Sequence, residues 1–158
     1  MEDVIIAAGR PTMDGPQLMQ LVSRALHILG AIILGGGLFY IRSVLSPAGV
    51  DACFADRRAV WAKWVGIVTF LLLATGIYNF LVVNNQVKAE GEKLESTYHM
   101  LFGIKFLLGL LVMFIAAILA GKTAVAEKFR ANLGRWLNVA WFSVMAIVVI
   151  AAILRTFH

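Results

Sequence analysis

The sequence lacks the residue sets on which many enzymes and metalloproteins depend. Cys53 is the single cysteine among 158 residues, which excludes a disulfide framework and a CxxC metal site. The central parts of the four long apolar stretches contain no Asp or Glu, so paired carboxylates cannot act there as acid and base. A serine–histidine–aspartate set and zinc-ligand spacing are also absent. The common hydrolytic active sites are therefore not predicted.

Charged residues are few as well, at 15% of the chain, whereas 61% of the residues are hydrophobic. A soluble domain of this size has no need of so much apolar surface, and apolar runs of about 20 residues are typical of membrane-spanning helices. The sequence predicts an all-α integral membrane protein, an up-down bundle of four transmembrane helices. A tail over 1–17 precedes a single domain over 18–158. The helices are predicted at about 21–45, 60–83, 98–120 and 136–154.

The basic residues predict how the bundle crosses the membrane. Four spans put both termini on one side, here called side A, together with the loop 84–97. The loops 46–59 and 121–135 lie on the opposite side B, where lysines and arginines are more numerous. The positive-inside rule therefore places side B in the cytoplasm. The tail also lacks the basic start of a signal peptide.

These features predict an integral protein of a bacterial inner membrane, with both termini on the periplasmic side. The lipid bilayer is its expected surrounding. The net charge of +5 follows from the basic loops of such a topology, and no nucleic-acid partner is predicted.

Two ionisable side chains interrupt the apolar spans, His27 in the first and Lys105 in the third. A charge at the bilayer centre costs about 2.5–3.5 kcal/mol on insertion scales, so such groups usually face the bundle interior or a wet cavity. At about 1.5 Å of rise per residue, both lie at a similar depth in the side A half. Small residues share their helix faces, which favours an inward position for both. His99 lies at the side A mouth of the third helix.

A neutral imidazole inside a helical bundle is a suitable ligand for haem iron. His27 is the candidate axial ligand, and His99 on another helix permits bis-histidine ligation without requiring it. Phe102 and Phe106 would supply apolar walls on the face of His99. Arg24, one turn outside His27, would pair with a haem propionate near the water interface. These residues are compatible with a haem site, with iron bound by His27 or by both histidines.

Each of these residues also has an ordinary structural explanation. A histidine in a membrane span more often packs, hydrogen-bonds or handles protons than binds a cofactor. His99 is typical of a membrane boundary, and Lys105 and Arg24 can extend towards the water at side A. The glycines 35–37 indicate close helix packing rather than a phosphate loop, because no strand precedes them.

Several motifs, in order along the chain, resemble one known family. RALH (Arg24–His27) is followed after nine residues by GLFY (Gly37–Tyr40). FGIKFLLGLLV, which contains Lys105, and RWLNVAWFSVMAIVVIAAIL, from Arg135, follow in the third and fourth helices. RRAVWAKWVGIVTFLLLATG is a looser match in the second. From about residue 20 to the end, the chain resembles the HemJ-type protoporphyrinogen IX oxidases.

The resemblance implies a small membrane protein that carries b-type haem and depends on residues equivalent to His27 and Lys105. It implies oxidation of a porphyrin substrate, protoporphyrinogen, with electrons passed to a quinone or another respiratory-chain partner. Lys105 and Arg24 would neutralise haem propionates or a porphyrin carboxylate. The fourth helix has NVAW at 138–141 where the family has Asn-Glu-x-Pro, so a candidate proton acceptor is absent. Electron handling is therefore expected, and whether the chain is an enzyme stays open.

Two other functions are also compatible with the sequence. The LH and GG pairs early in the first helix are similar to the copper-resistance D-type membrane domains, which would imply a metal-transport module. Copper(I) prefers soft ligands, but Met100 beside His99 and the deeper Met113 do not form a methionine stripe. The remaining alternative is a non-catalytic structural subunit of a larger membrane complex, which would be colourless and would purify only with its partners.

Overall fold

The computed structural model describes residues 14–89, 91 and 96–155, and their regular structure is helical throughout. Four helices are long and apolar enough to cross a membrane. The predicted all-α class with four transmembrane helices is confirmed, and the chain is an integral membrane protein. The helices are α1 (Gly15–Ser43), α2 (Pro47–Ala89), α3 (Ser96–Ala120), α4 (Ala124–Ala131) and α5 (Leu133–Leu154).

The start of α1 lies within the segment predicted as a tail. The carboxylate of Asp14 accepts a hydrogen bond from the backbone N–H of Gln17 at 3.0 Å and so caps the first turn. A proline in the first turn needs no N–H partner there. Residues 15–17 are therefore helical, and the rest of the predicted tail, residues 1–13, lies outside the described residues.

The four long helices form a bundle in which each packs on two neighbours. α1 packs on α2, α2 on α3, α3 on α5, and α5 on α1. Because successive spans run in opposite directions, α1 begins on side A, where α2 ends, α3 begins and α5 ends. α1 and α3 are consequently diagonal partners across the interior.

α2 is much longer than the span predicted at 60–83. Its 43 residues correspond to about 64 Å of helix, roughly twice the thickness of the hydrocarbon core. The segment 46–59 was expected to be a loop because it is charged, but it is helical from Pro47. The helix persists because Val50 and Phe54 continue the apolar face of the membrane part and are buried, while the intervening charges face water.

The other predicted loops also contain helix. In 84–97, α2 continues to Ala89, and Gly91 then forms a turn with a φ of 78°. Its N–H donates to the carbonyl of Lys88 at 3.1 Å, a left-handed turn that suits glycine. The segment 121–135 holds α4, whose first turn is capped by the hydroxyl of Thr123 accepting from the N–H of Ala126.

A densely packed aliphatic core fills the side B half of the bundle. Leu38, Ile115 and Leu119 are at most 1% exposed. The indole N–H of Trp61 donates to the carbonyl of Ala116 at 3.3 Å and ties α2 to α3. The cluster also includes the buried residues Leu34, Ile41, Val50, Phe54, Val65, Val68, Leu72, Val112, Ala116, Leu137 and Ala140.

The other half of the bundle is built differently. From the middle of the membrane towards side A, the buried residues among those described are mostly small or polar. They are Ser23, Gly30, Thr75, Tyr98, Ser143 and Leu154. The bundle thus has a packed aliphatic core in its side B half and a polar interior in its side A half.

Candidate functional site

His27 lies in this polar interior, on the face of α1 that packs against α2. Its Nδ1 is 2.9 Å from the hydroxyl oxygen of Thr75. That hydroxyl donates its single proton to the carbonyl of Leu71 at 2.6 Å. With the hydroxyl proton directed at Leu71, Nδ1 of His27 is assigned as the donor to Thr75, which leaves the lone pair on Nε2. Thr75 thus sets both the tautomer and the ring orientation of His27.

A glycine makes room for this ring. A Cβ atom at Gly76 would lie 3.2 Å from Cε1 and 3.7 Å from Nδ1 of His27. The imidazole therefore rests directly on the backbone of α2, and any side chain at position 76 would push it away. Thr75 supplies the hydrogen bond and Gly76 the space.

A second ionisable side chain belongs to α3, the helix diagonally across the interior from α1. This residue, Lys105, is half-buried. No carboxylate among the described residues pairs with it. Arg24 is exposed at the side A end of the same region, and its charge acts on the buried Tyr98. The interior therefore carries cations that an anionic ligand group could neutralise.

Two buried oxygens have no hydrogen-bond partner among the described residues, the hydroxyl of Ser23 and the Oδ1 of Asn79. Ser23 lies one turn from His27 towards side A, and Asn79 lies one turn from Thr75 in the same direction. A buried polar group without a partner costs about 1–3 kcal/mol, so such atoms indicate where water or a polar ligand group binds. We call the group Ser23, His27, Thr75, Gly76, Asn79 and Lys105 the His27 site.

The remaining predicted site residues form a separate aromatic group on α2 and α3. The ring of His99 is 6.1 Å from that of Phe80, which stacks on Phe102 at 4.2 Å. Phe106 continues the row at 6.4 Å from Phe102. Phe80 lies five residues beyond Thr75 on α2, about 7.5 Å nearer side A. Because His99 contacts Phe80 and His27 contacts Thr75, the exposed His99 lies nearer side A than His27.

The sequence interpretation missed the whole contribution of α2. Thr75 and Asn79 are four residues apart in an apolar run, a spacing that places both on one helix face. Gly76 adjoins them, and Phe80 extends the aromatic row. Polar side chains at helical spacing inside a membrane span were the available signal.

The described residues contain no group of three or more His, Cys, Asp or Glu that could hold a metal ion. Iron in a porphyrin has four ligands of its own and needs only one or two from the protein, so a haem site does not require such a group. Comparison of the chain with protein-family models, with curated proteins and with solved structures gives no match. The site is therefore interpreted from its own geometry.

Proposed function

We propose that this chain is a b-type haem-binding membrane protein that handles electrons, with His27 as an axial ligand. The observation that carries the proposal is the hydrogen bond between Nδ1 of His27 and the hydroxyl of Thr75, with Nδ1 assigned as the donor. Histidines that bind metals characteristically donate their other N–H to a protein acceptor, which fixes the ring and makes the ligating nitrogen more basic. Nε2 of His27 is the nitrogen left for iron.

The surroundings of His27 suit the two chemical parts of haem. The carboxylates of the propionates need cations, which Lys105 and Arg24 supply in the interior and at its side A end. The macrocycle needs apolar walls, and Phe80 and Phe102 lie one to two turns nearer side A than Thr75. When bound, the iron supplies one-electron chemistry between its ferric and ferrous states.

His99 is the candidate for a second axial position. Two histidine ligands would favour electron transfer, whereas an open position would favour substrate or oxygen chemistry. A porphyrin substrate such as protoporphyrinogen carries carboxylates that the same cations would bind. A quinone or a respiratory-chain partner would receive the electrons. We further propose a bacterial inner membrane with side B in the cytoplasm, because the basic residues collect there.

The aliphatic core makes a metal-transport module the less favoured alternative. A transported ion needs polar groups along its whole path, and the side B half is filled by side chains such as Leu38 and Leu119. The buried polar side chains among the described residues reach no further towards side B than about mid-membrane, at Thr75 and Ser143. This depth suits a binding site that opens to one side.

The test is an optical spectrum of the detergent-purified protein, oxidised and then reduced with dithionite. We expect a Soret band and sharp reduced α band in the wild type and their loss in His27→Ala. Tyr40→Ala, which removes an exposed side chain near the side B end of the same helix, is the control and should keep the bands. A change of the low-spin bands in His99→Ala would identify the second ligand.

A colourless protein from cells supplied with ample haem would contradict the proposal and favour a structural subunit. An unchanged spectrum in His27→Ala would show that the iron is bound elsewhere. Protoporphyrinogen oxidation by the haem-loaded protein would then be measured as a separate question.

A further inference from the structure

A groove of about 700 Å³ runs along the outside of the bundle between α3 and α5, and none of the residues of the His27 site lines it. One of its walls is Leu108 of α3, and the rest is the face of α5 from Arg135 to Ala146. We call it the α3–α5 groove. Arg135 lies in the first turn of α5 at side B, and Ala146 lies past the middle of that helix. The groove therefore runs from the membrane surface to mid-bilayer.

The side B end of the groove is cationic. Arg135 is exposed there. Asn138, which also lines the groove, accepts a hydrogen bond at 2.7 Å from Nε of Arg42 on the neighbouring α1. This bond holds a second guanidinium at the same end. No carboxylate among the described residues forms a salt bridge with either arginine. Two cations therefore face the headgroup layer without an acidic partner.

The floor of the groove is apolar and built from small residues. The hydroxyl of Ser143 donates to the carbonyl of Val139 at 2.8 Å, so it presents no free polar proton. Ser143 and Ala146 keep the floor low, while Phe142, with 67% of its surface exposed, forms a raised edge. The twelve residues from Arg135 to Ala146 span about 16 Å, close to half of the roughly 30 Å hydrocarbon core.

We infer that the α3–α5 groove binds one anionic phospholipid of the side B leaflet. Its phosphate lies beside Arg135 and Arg42, and one acyl chain follows α5 to Ala146. The length of the floor matches one leaflet, and the charge of its mouth is complementary to an anionic headgroup. The remaining exposed cations of side B, such as Lys128, lie outside the groove and attract anionic lipid only by their general charge. The inference does not depend on haem binding.

The test is native mass spectrometry of the full chain, released from a mixture of phosphatidylglycerol and phosphatidylcholine with identical acyl chains. The wild type should retain one phosphatidylglycerol in preference to phosphatidylcholine. Arg135→Gln should lower that retention about tenfold, because the variant loses a charge-assisted hydrogen bond to the phosphate. Lys128→Gln removes the same charge from an exposed position of α4 and should lower it less than about twofold.

Ala146→Phe provides an independent test because it leaves every charge in place and fills the floor of the groove. It should reduce retention of both lipids, with the helical content unchanged by circular dichroism. Equal retention of the two lipids by the wild type would overturn the inference. So would equal losses in Arg135→Gln and Lys128→Gln, or full retention of phosphatidylglycerol in Ala146→Phe.

Discussion

The hydrogen bond between Thr75 and His27 gives the sharpest prediction. Thr75→Val keeps the shape of the side chain and removes its hydroxyl, so the N–H at Nδ1 of His27 loses its acceptor while the ring keeps its place on Gly76. The carbonyl of Leu71 loses only an extra donor, because it also lies within the α-helical hydrogen-bond pattern. Thr75→Val therefore tests the hydrogen bond to the imidazole without altering its packing.

The loss of haem affinity expected in Thr75→Val can be estimated in two ways. A half-buried donor left without a partner costs about 1–3 kcal/mol. Removal of the group that supports a metal-binding histidine lowers affinity about 10–100-fold, which corresponds to about 1.4–2.7 kcal/mol. The two estimates agree, so Thr75→Val should weaken haem binding by one to two orders of magnitude without abolishing it.

The assay is a titration of the haem-free protein in detergent, followed by the Soret absorbance. Thr75→Ser keeps a hydroxyl at the same position and should bind haem within about threefold of the wild type, since only a methyl group is lost. The reasoning would be refuted if Thr75→Val matched the wild type while His27→Ala lost the haem. Haem would then be bound through His27 without help from the tautomer that Thr75 sets.

Two further predictions concern packing and charge. Gly37→Ala should destabilise the bundle by about 1–3 kcal/mol in detergent unfolding, because its Cβ would lie 2.9 Å from the Trp61 ring, which is held by its hydrogen bond. Gly36→Ala, with open space around it, should not destabilise; equal losses would contradict the packing. Lys105→Met should raise the stability of the haem-free protein by up to about 2.5 kcal/mol and weaken haem binding, measured by thermal unfolding and Soret titration. A loss of stability would show that Lys105 is already neutralised.

The membrane architecture and the inward position of two polar residues could be predicted from the sequence. Long apolar runs predict membrane spans whatever the tertiary structure, because the bilayer requires them. The helical phases of His27 and Lys105 predict an inward position for both, and both side chains are half-buried in the structure. The roles of these residues as haem ligand and counter-charge stay predictions.

The partners on α2 could not be predicted in the same way. Thr75 contacts His27 across 48 positions of sequence, and no local pattern states which turn of α2 faces which turn of α1. The helical segment 47–59 was missed for another reason. Its charged residues suggested a loop, although Val50 and Phe54 continue the spacing of Trp61, Val65 and Val68. A helix that extends beyond the bilayer keeps the helical spacing of its apolar face, although its overall composition becomes more polar.

The unequal halves of the bundle affect the order in which the protein is assembled. The aliphatic residues that hold the helices together lie at side B and do not include any residue of the His27 site. The four helices can therefore associate in the membrane before any cofactor arrives. In the proposed haem-binding role, a flat, amphiphilic molecule that enters later would come from side A. Its loss would leave the bundle folded, so the bound molecule could be exchanged without unfolding of the protein.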